Sequence, residues 1–409
     1  MKLLGVTYGT EGDTRPLVML CRALLDAGHD VTLLADGATL DSAVVHAVPH
    51  APLGEPIRDE VVALVERGNG LLASASGLAR MARRQTDDWV ARIHAAAEGC
   101  DAILAGGLAA LAALAVAAHR GIPCIGLGMI PITPSRAFPS TFLPPGWIPP
   151  GLNKASHHLV TRLIWLQFRA PLRRACIRVL GAPQPIRPWA GQAMLYGFSR
   201  HLLPPPADWP DNAVVCGQWT EPAQQWSPPS ELAAFLAAGP PPIHIGFGSM
   251  VGFDRERVFG ALLDGTHGRR VLLSPGWAGL PSRRLPDTVF VVGNVPHQAL
   301  FPHTSMVIHH GGSGTTHSAC RAGVPSVVMP CAADQFFWAD RLRRLGVAPH
   351  ALSHRRLDAA TVAAAVSVAD APQARARSTA LGAHMAQENG AATAVAAINR
   401  LLRPPVAAD

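Results

Sequence analysis

Short apolar strands, each followed by a helical stretch, recur in two separate runs of this 409-residue chain, and Pro-rich sequence separates the runs. Strand–helix alternation leaves few solutions, because helices must cover both faces of a mostly parallel sheet. In the first run, Leu3 to Tyr8 reads as a strand and Gly9-Thr10-Glu11-Gly12 as a tight loop. Asp13 or Thr14 can cap the following helix, and Pro16 suits its first turn. Leu17, Leu20, Cys21, Leu24 and Leu25 recur at helical spacing, Gly28 ends the helix, and Val31 to Ala35 is the next strand. Ala102 to Ala118, free of charge but short for a membrane span, reads as a strand end and a buried helix.

The pattern lapses in TPSRAFPSTFLPPGWIPPG between Ile130 and Leu152, and long irregular loops in compact domains are commonly functional. Helix resumes from Asn153 to Leu180, and Met194 to Phe198 reads as a strand. A second Pro-rich segment, LLPPPADWPDNAVVCGQW, has the composition of a stiff linker. Alternation then restarts with strands at Ile243 to Phe247, Val271 to Ser274, Val289 to Val292, Met306 to His309 and Ser326 to Met329. The expectation is an α/β chain of two Rossmann-like βαβ domains facing across a cleft. Residues 1–203 form one domain, 204–228 a linker and 229–385 the second domain, with a helical tail at 386–409 packing back on the first.

Composition narrows the function. Half the chain is apolar (49%), enough for two cores, and only 15% is charged. The net charge of +7 favours anionic ligands. The Lys and Arg residues are dispersed, however, and the densest run, Arg162 to Arg178, is interleaved with apolar residues at helical spacing. That pattern reads as a solvated helix face and argues against a nucleic-acid partner. Seven cysteines, odd in number and without C-x-x-C spacing, indicate reduced thiols and no metal site. The opening residues show no secretory h-region, so the expected location is cytoplasmic, leaving room for transient membrane contact.

The chemistry concentrates in MVIHHGGSGTTHSACRAGVPSVVMPCAADQFFWADRLRRLGVAP, from Met306 to Pro349. A strand runs into a glycine turn, a helix opens near Thr315, and Gly323 stops it. Gly311, Gly312 and Gly314 let the backbone approach a ligand, while free N–H groups at the helix start point toward it. This is an anion cradle, with His309 and His310 beside it.

The segment resembles the donor signature of the nucleotide-sugar-dependent family-one glycosyltransferases, and the likeness extends over most of the chain. PIHIGFGSM (242–250) is similar to the strand whose Gly-Ser turn meets the diphosphate. HHGGSGTT with Asp334-Gln335 resembles the phosphate and sugar ends of the donor site, and GTEGDTRPLVMLCRALLDAGHDV the first loop and helix of the acceptor domain. TPSRAFP and NKASHHLVTRLIWLQFRAPL look most like the sterol-glucosyltransferase branch, and the aspartate in the first loop like glycopeptide-type and sterol-type members.

The resemblance implies a GT-B enzyme in which Asp13 is the general base. Ser249, His309, Gly312, Ser313, Gly314 and Thr315 would hold the diphosphate, and Asp334 and Gln335 the sugar hydroxyls. Trp277, Val295 and His317 would meet the nucleoside. Plant members carry a base-stacking tryptophan where Asn294 stands and a ribose-holding glutamate where His317 stands; Trp277 is a candidate substitute for the former. The implied reaction is direct displacement with inversion, without a metal or other cofactor. A UDP-sugar or dTDP-sugar would be co-substrate and a small lipophilic or aromatic alcohol the acceptor. The favoured donor is UDP-glucose; alternatives are a dTDP-deoxysugar transferase or a non-catalytic nucleotide-sugar-binding partner. A dinucleotide oxidoreductase is disfavoured, because GTEGD after the first strand lacks the G-x-G-x-x-G fingerprint. An epimerase of the same fold would need no acceptor loop, whereas residues 130–152 look like one.

Overall fold

A computed structural model describes residues 1–57, 71–186, 188–189, 191–220, 226–293 and 295–403. The first sheet has seven parallel strands in the order β3-β2-β1-β4-β5-β6-β7. These are β1 (Lys2–Val6), β2 (Asp30–Ala35), β3 (His50–Pro52), β4 (Ala102–Ala105), β5 (Cys124–Gly128), β6 (Met194–Tyr196) and β7 (Ala213–Val215). The second sheet has five parallel strands in the order β10-β9-β8-β11-β12. Its strands are β8 (Ile243–Gly246), β9 (Val271–Ser274), β10 (Val289–Val291), β11 (Met306–His309) and β12 (Ser326–Val328). Each sheet reverses its winding at one place, between β1 and β4 in the first and between β8 and β11 in the second. Such switch points open a crevice beyond the carboxyl ends of the strands, where ligands bind.

Helices cover the first sheet as α1 (Glu11–Asp26), α2 (Asp41–Val45), α3 (Leu71–Ala96), α4 (Ala110–Arg120) and α5 (Asn153–Leu180). Those of the second half are α6 (Ser230–Ala237), α7 (Arg255–Gly265), α8 (His297–Leu300), α9 (Ser313–Arg321), α10 (Gln335–Leu345), α11 (Ala359–Asp370) and α12 (Pro372–Ala386). The final helix, α13 (Gly390–Leu402), returns to the first sheet, where Ala394, Ala397 and Ile398 share a core with Leu17, Leu20 and Leu24 of α1.

The Pro-rich stretch at 204–228 is only partly a connector. Val214 pairs with Leu195, so β7 is the edge strand of the first sheet. Its Pro-rich flanks hid a run of only three apolar residues, which is too short to stand out in sequence. A third apolar core joins the two halves: Tyr196, Phe198 and Trp209 pack with Phe337, Trp338 and Met385. Phe138, from the Pro-rich loop at 130–152, belongs to it and lies 5.3 Å from the Phe337 ring. The loop's backbone is held as well, since the Phe138 carbonyl accepts a 3.0 Å bond from His157 Nε2.

Candidate active site

The carboxyl ends of the two sheets face each other across a cavity of about 1020 Å³. Its walls include the loops after β1 (Thr7 to Thr10) and β4 (Gly106 to Leu108). Opposite them stand the loops after β8 (Gly248 to Met250) and β11 (His310 to Gly312). Both switch points therefore open onto one space.

Asp13 lies in that space. Helix α1 begins one turn earlier than the capping expectation allowed: Thr10 is the N-cap and Asp13 is the third helical residue. Its carboxylate folds back to accept the Thr10 N–H at 3.0 Å, as an acidic residue at this position of a capping box does. Asp13 thus does take part in capping, and the side chain still reaches the cavity wall. Burial raises the Asp13 carboxyl to about 6, and the Thr10 N–H offsets part of that rise. A side chain at Gly9 would overlap the Asp13 carboxylate. Gly9→Ala should therefore displace Asp13 and lower turnover by about tenfold or more, as small misplacements of a reacting group do. Near-wild-type initial rates in that variant would show that the carboxylate's position is immaterial.

On the opposite wall, Gly311 (φ +90°) turns the chain from β11 into α9, which starts at Ser313. Gly312, Ser313, Gly314 and Thr315 all line the cavity at the positive end of this helix. The Ser313 hydroxyl donates to the Met129 carbonyl of the first domain at 2.8 Å, so in this structure it ties the two walls together. Ser249, Trp277 and Val295 also line the cavity, and the Trp277 N–H bonds the Gly248 carbonyl at 2.9 Å. Asn294, beside Val295, lies outside the described residues.

The histidines are arranged differently from the sequence reading. His309 is fully buried behind the glycine turn and does not line the cavity; the ring in the wall is His310. Gly311 N–H donates to His309 Nδ1 at 3.1 Å, which puts the proton on Nε2, and that buried N–H has no partner. His317 corrects the nucleoside assignment more firmly. It is fully buried inside α9, its Nδ1 bonds the Ser313 carbonyl at 2.7 Å, and its ring stands edge-on to Trp338 at 4.9 Å. It has no surface in the cavity. A helix position six residues beyond the glycine turn's start can face either wall or core, and local pattern does not decide which.

Asp334 and Gln335 open α10 at the cavity wall. Ala333, just before them, holds φ +52°, a strained conformation for alanine of the kind that collects at functional sites. Burial raises the Asp334 carboxyl to about 7, and the charge of Asp13 pushes the same way, so the two carboxyls sense each other across the cavity. Gln335 Oε1 accepts from the N–H groups of Cys331 (2.7 Å) and Ala332 (3.0 Å). The Gln335 oxygen therefore shapes the loop, and only its amide nitrogen, 3.0 Å from Met250 Sδ, is left with a weak partner.

Electrostatically the cavity is nearly free of fixed positive charge. Burial lowers His310 and His297 to about 4 and His244 to about 3, so these three wall histidines are neutral near pH 7, and burial lowers the fourth, His157, as well. Among the described residues that line the cavity, Arg15 is the only Lys or Arg. It pairs with Glu11 at 3.6 Å, its Nε is buried without a partner, and its charge depresses His297 in the opposite domain. Neither Arg15 nor Glu11 stands out in the sequence as a site residue. Their spacing of four on one helix was the available signal.

The remaining wall is apolar. Phe142, Trp165, Ile164 and Ile130 line it, whereas Trp89 is core and packs against Tyr8, and Trp147 is exposed. All seven cysteines are free thiols. Among the described residues no group of three or more His, Cys, Asp or Glu converges as a metal site, and no helix is long and apolar enough to cross a membrane.

Two parallel-sheet domains facing across one cavity are the architecture of the GT-B class, and the chain is a glycosyltransferase of that class. The chain belongs to the natural-product and sterol type of that class. It is 36% identical to the vancomycin aglycone glucosyltransferase of Amycolatopsis orientalis, with 96% of each chain covered. It is 29% identical to the sterol 3-beta-glucosyltransferase of Neurospora crassa over 98% of this chain, which spans 27% of that longer protein. Residues 275–401 match the family described as Erythromycin biosynthesis protein CIII-like, C-terminal domain. The crystal structure of the kitacinnamycin glycotransferase superposes with a TM-score of 0.72 at 20% identity, covering 98% of this chain and 99% of that one, a likeness of fold.

Proposed function

We propose that this glycosyltransferase moves glucose from UDP-glucose, with inversion and without a metal, onto a hydroxyl of a small lipophilic or aromatic acceptor. The observation that carries the reading is the placement of Asp13 across one cavity from the cradle at the start of α9. Asp13 takes the acceptor proton as the oxygen attacks the anomeric carbon and the sugar–phosphate bond breaks. Negative charge then gathers on the departing diphosphate. The N–H groups of α9, the His310 ring and the Arg15 guanidinium are the groups placed to stabilise it.

Asp334, held near neutrality, can both accept from and donate to sugar hydroxyls, which suits a fully hydroxylated hexose. A deoxysugar would leave such a group short of a partner at a cost of about 1–3 kcal/mol. Glucose is also the sugar named in both relatives described above, and this favours it over the dTDP-deoxysugar alternative. The apolar wall of Phe142, Ile164 and Trp165 favours a ring-bearing or lipidic alcohol.

Initial rates with UDP-glucose and dTDP-glucose test the donor. UDP-glucose should be the faster; a faster dTDP-glucose would overturn the nucleotide half of the proposal, and hydrolysis or transfer with neither would favour a binding partner. Chelation with EDTA should leave the rate nearly unchanged, because Arg15 and the helix start carry the counter-charge. A large loss restored by magnesium would contradict that.

A further inference from the structure

Helix α5 is apolar on two opposite sides. One side walls the cavity with Val160, Ile164 and Trp165 and enters the core with Phe168 and Leu172. The other side faces outward: Leu159, Leu163 and Leu166 are 56%, 51% and 50% exposed, and Ile177 lies at the same helical phase. Leu152, just before the helix, and Trp147, in the loop that feeds it, are 56% and 67% exposed. Exposed apolar residues scattered singly need no account, but a periodic stripe along one helix does.

The charge of α5 says what covers the stripe. Its 28 residues include Lys154, Arg162, Arg169, Arg173, Arg174 and Arg178 and no Asp or Glu. Lys154 pairs with Asp208 and Arg178 with Asp87. The four arginines between them have no carboxylate partner among the described residues and are exposed. At 3.6 residues per turn, Arg162, Arg169 and Arg173 run along one border of the leucine stripe and Arg174 along the other. A second copy of this chain on the same face would set two acid-free basic helices against each other. An anionic lipid surface satisfies both features at once, because acyl chains receive the leucines and headgroups the flanking arginines.

We propose that α5 is a peripheral membrane-docking helix that lies in the interface of an anionic bilayer through Leu159, Leu163 and Leu166. The inference goes beyond sugar transfer and does not depend on it, since binding alone reads it out.

The test is co-sedimentation of the full chain with phosphatidylcholine vesicles, with and without phosphatidylglycerol. The wild type should partition onto the anionic vesicles at least about tenfold better than onto the neutral ones and detach in high salt. Leu159→Glu with Leu163→Glu should lose that binding about tenfold or more while keeping the wild-type midpoint of thermal unfolding, because both side chains are solvent-facing. Arg162→Ala with Arg169→Ala should blunt the preference for anionic lipid. Three results would overturn the proposal: no binding of the wild type to either vesicle, unchanged binding of the leucine variant, or a lipid-free dimer by light scattering that the leucine variant dissolves. The last would assign the stripe to a second copy.

Discussion

Asp13→Asn should lower the transfer rate by about 10²–10⁴-fold, the range a positioned general base supplies, while nucleotide affinity stays nearly unchanged. Asparagine preserves the side chain's shape and can still meet the Thr10 N–H through its carbonyl oxygen, so α1 should start as before. What it lacks is a lone pair basic enough to take a proton. The wild type should also show a pH limb of definite sign. Asp13, raised to about 6 by burial, works only when ionised, so kcat/KM should climb as pH rises through that region and level off above it. In Asp13→Asn the Asp334 carboxyl should ionise more readily, because the charge that helps to hold it up has gone. A variant that turns over an aliphatic alcohol at close to the wild-type rate would remove Asp13 from the base role.

Asp334→Ala should reduce kcat/KM for the sugar donor by about 10- to 150-fold, the equivalent of losing roughly 1.5–3 kcal/mol of hydrogen bonding to an ionisable group. Binding of UDP alone should change little, since the cradle at Gly312 to Thr315 lies on a different loop. That split separates a sugar contact from mere collapse of the site, which would weaken both ligands. Gln335 offers the contrast. Its oxygen already bonds the Cys331 and Ala332 N–H groups, so Gln335→Ala should loosen the loop itself and weaken donor binding and thermal stability together. A loss of no more than a few-fold in Asp334→Ala would end the sugar-gripping assignment.

Much of this arrangement was legible because period and punctuation agree with the fold. The strand–loop–helix of residues 3–28 appears in the structure with its helix starting one turn early, and the strand–glycine-turn–helix of 306–323 appears within a residue or two. The two loops they contain occupy matching switch points of the two sheets. Local pattern was weakest where tertiary context decides. Strand β7 is three residues long and survives between Pro-rich flanks only because Leu195 and its neighbours pair with it. His309 and His310 are adjacent on one strand end, and period-two alternation sends them to opposite sides; which side faces the ligand depends on how β11 sits in its sheet. His317 was displaced from the nucleoside list by the packing of α9 on Trp338, a partner 21 positions away. Arg15 passed unnoticed because a cation that works across a domain boundary leaves no mark on its own helix beyond the ion pair with Glu11.

The most direct test of the account is a series of phenolic and alcoholic acceptors of graded hydroxyl acidity, run with UDP-glucose at saturating donor in wild type and Asp13→Asn. A base is needed least where the hydroxyl gives up its proton most easily. The ratio of wild-type to variant rates should therefore be largest for an aliphatic alcohol and shrink steadily toward a strongly acidic nitrophenol. A ratio that stays constant across the series would mean that Asp13 shapes the cavity without accepting the proton, and would contradict the mechanism proposed for this cleft.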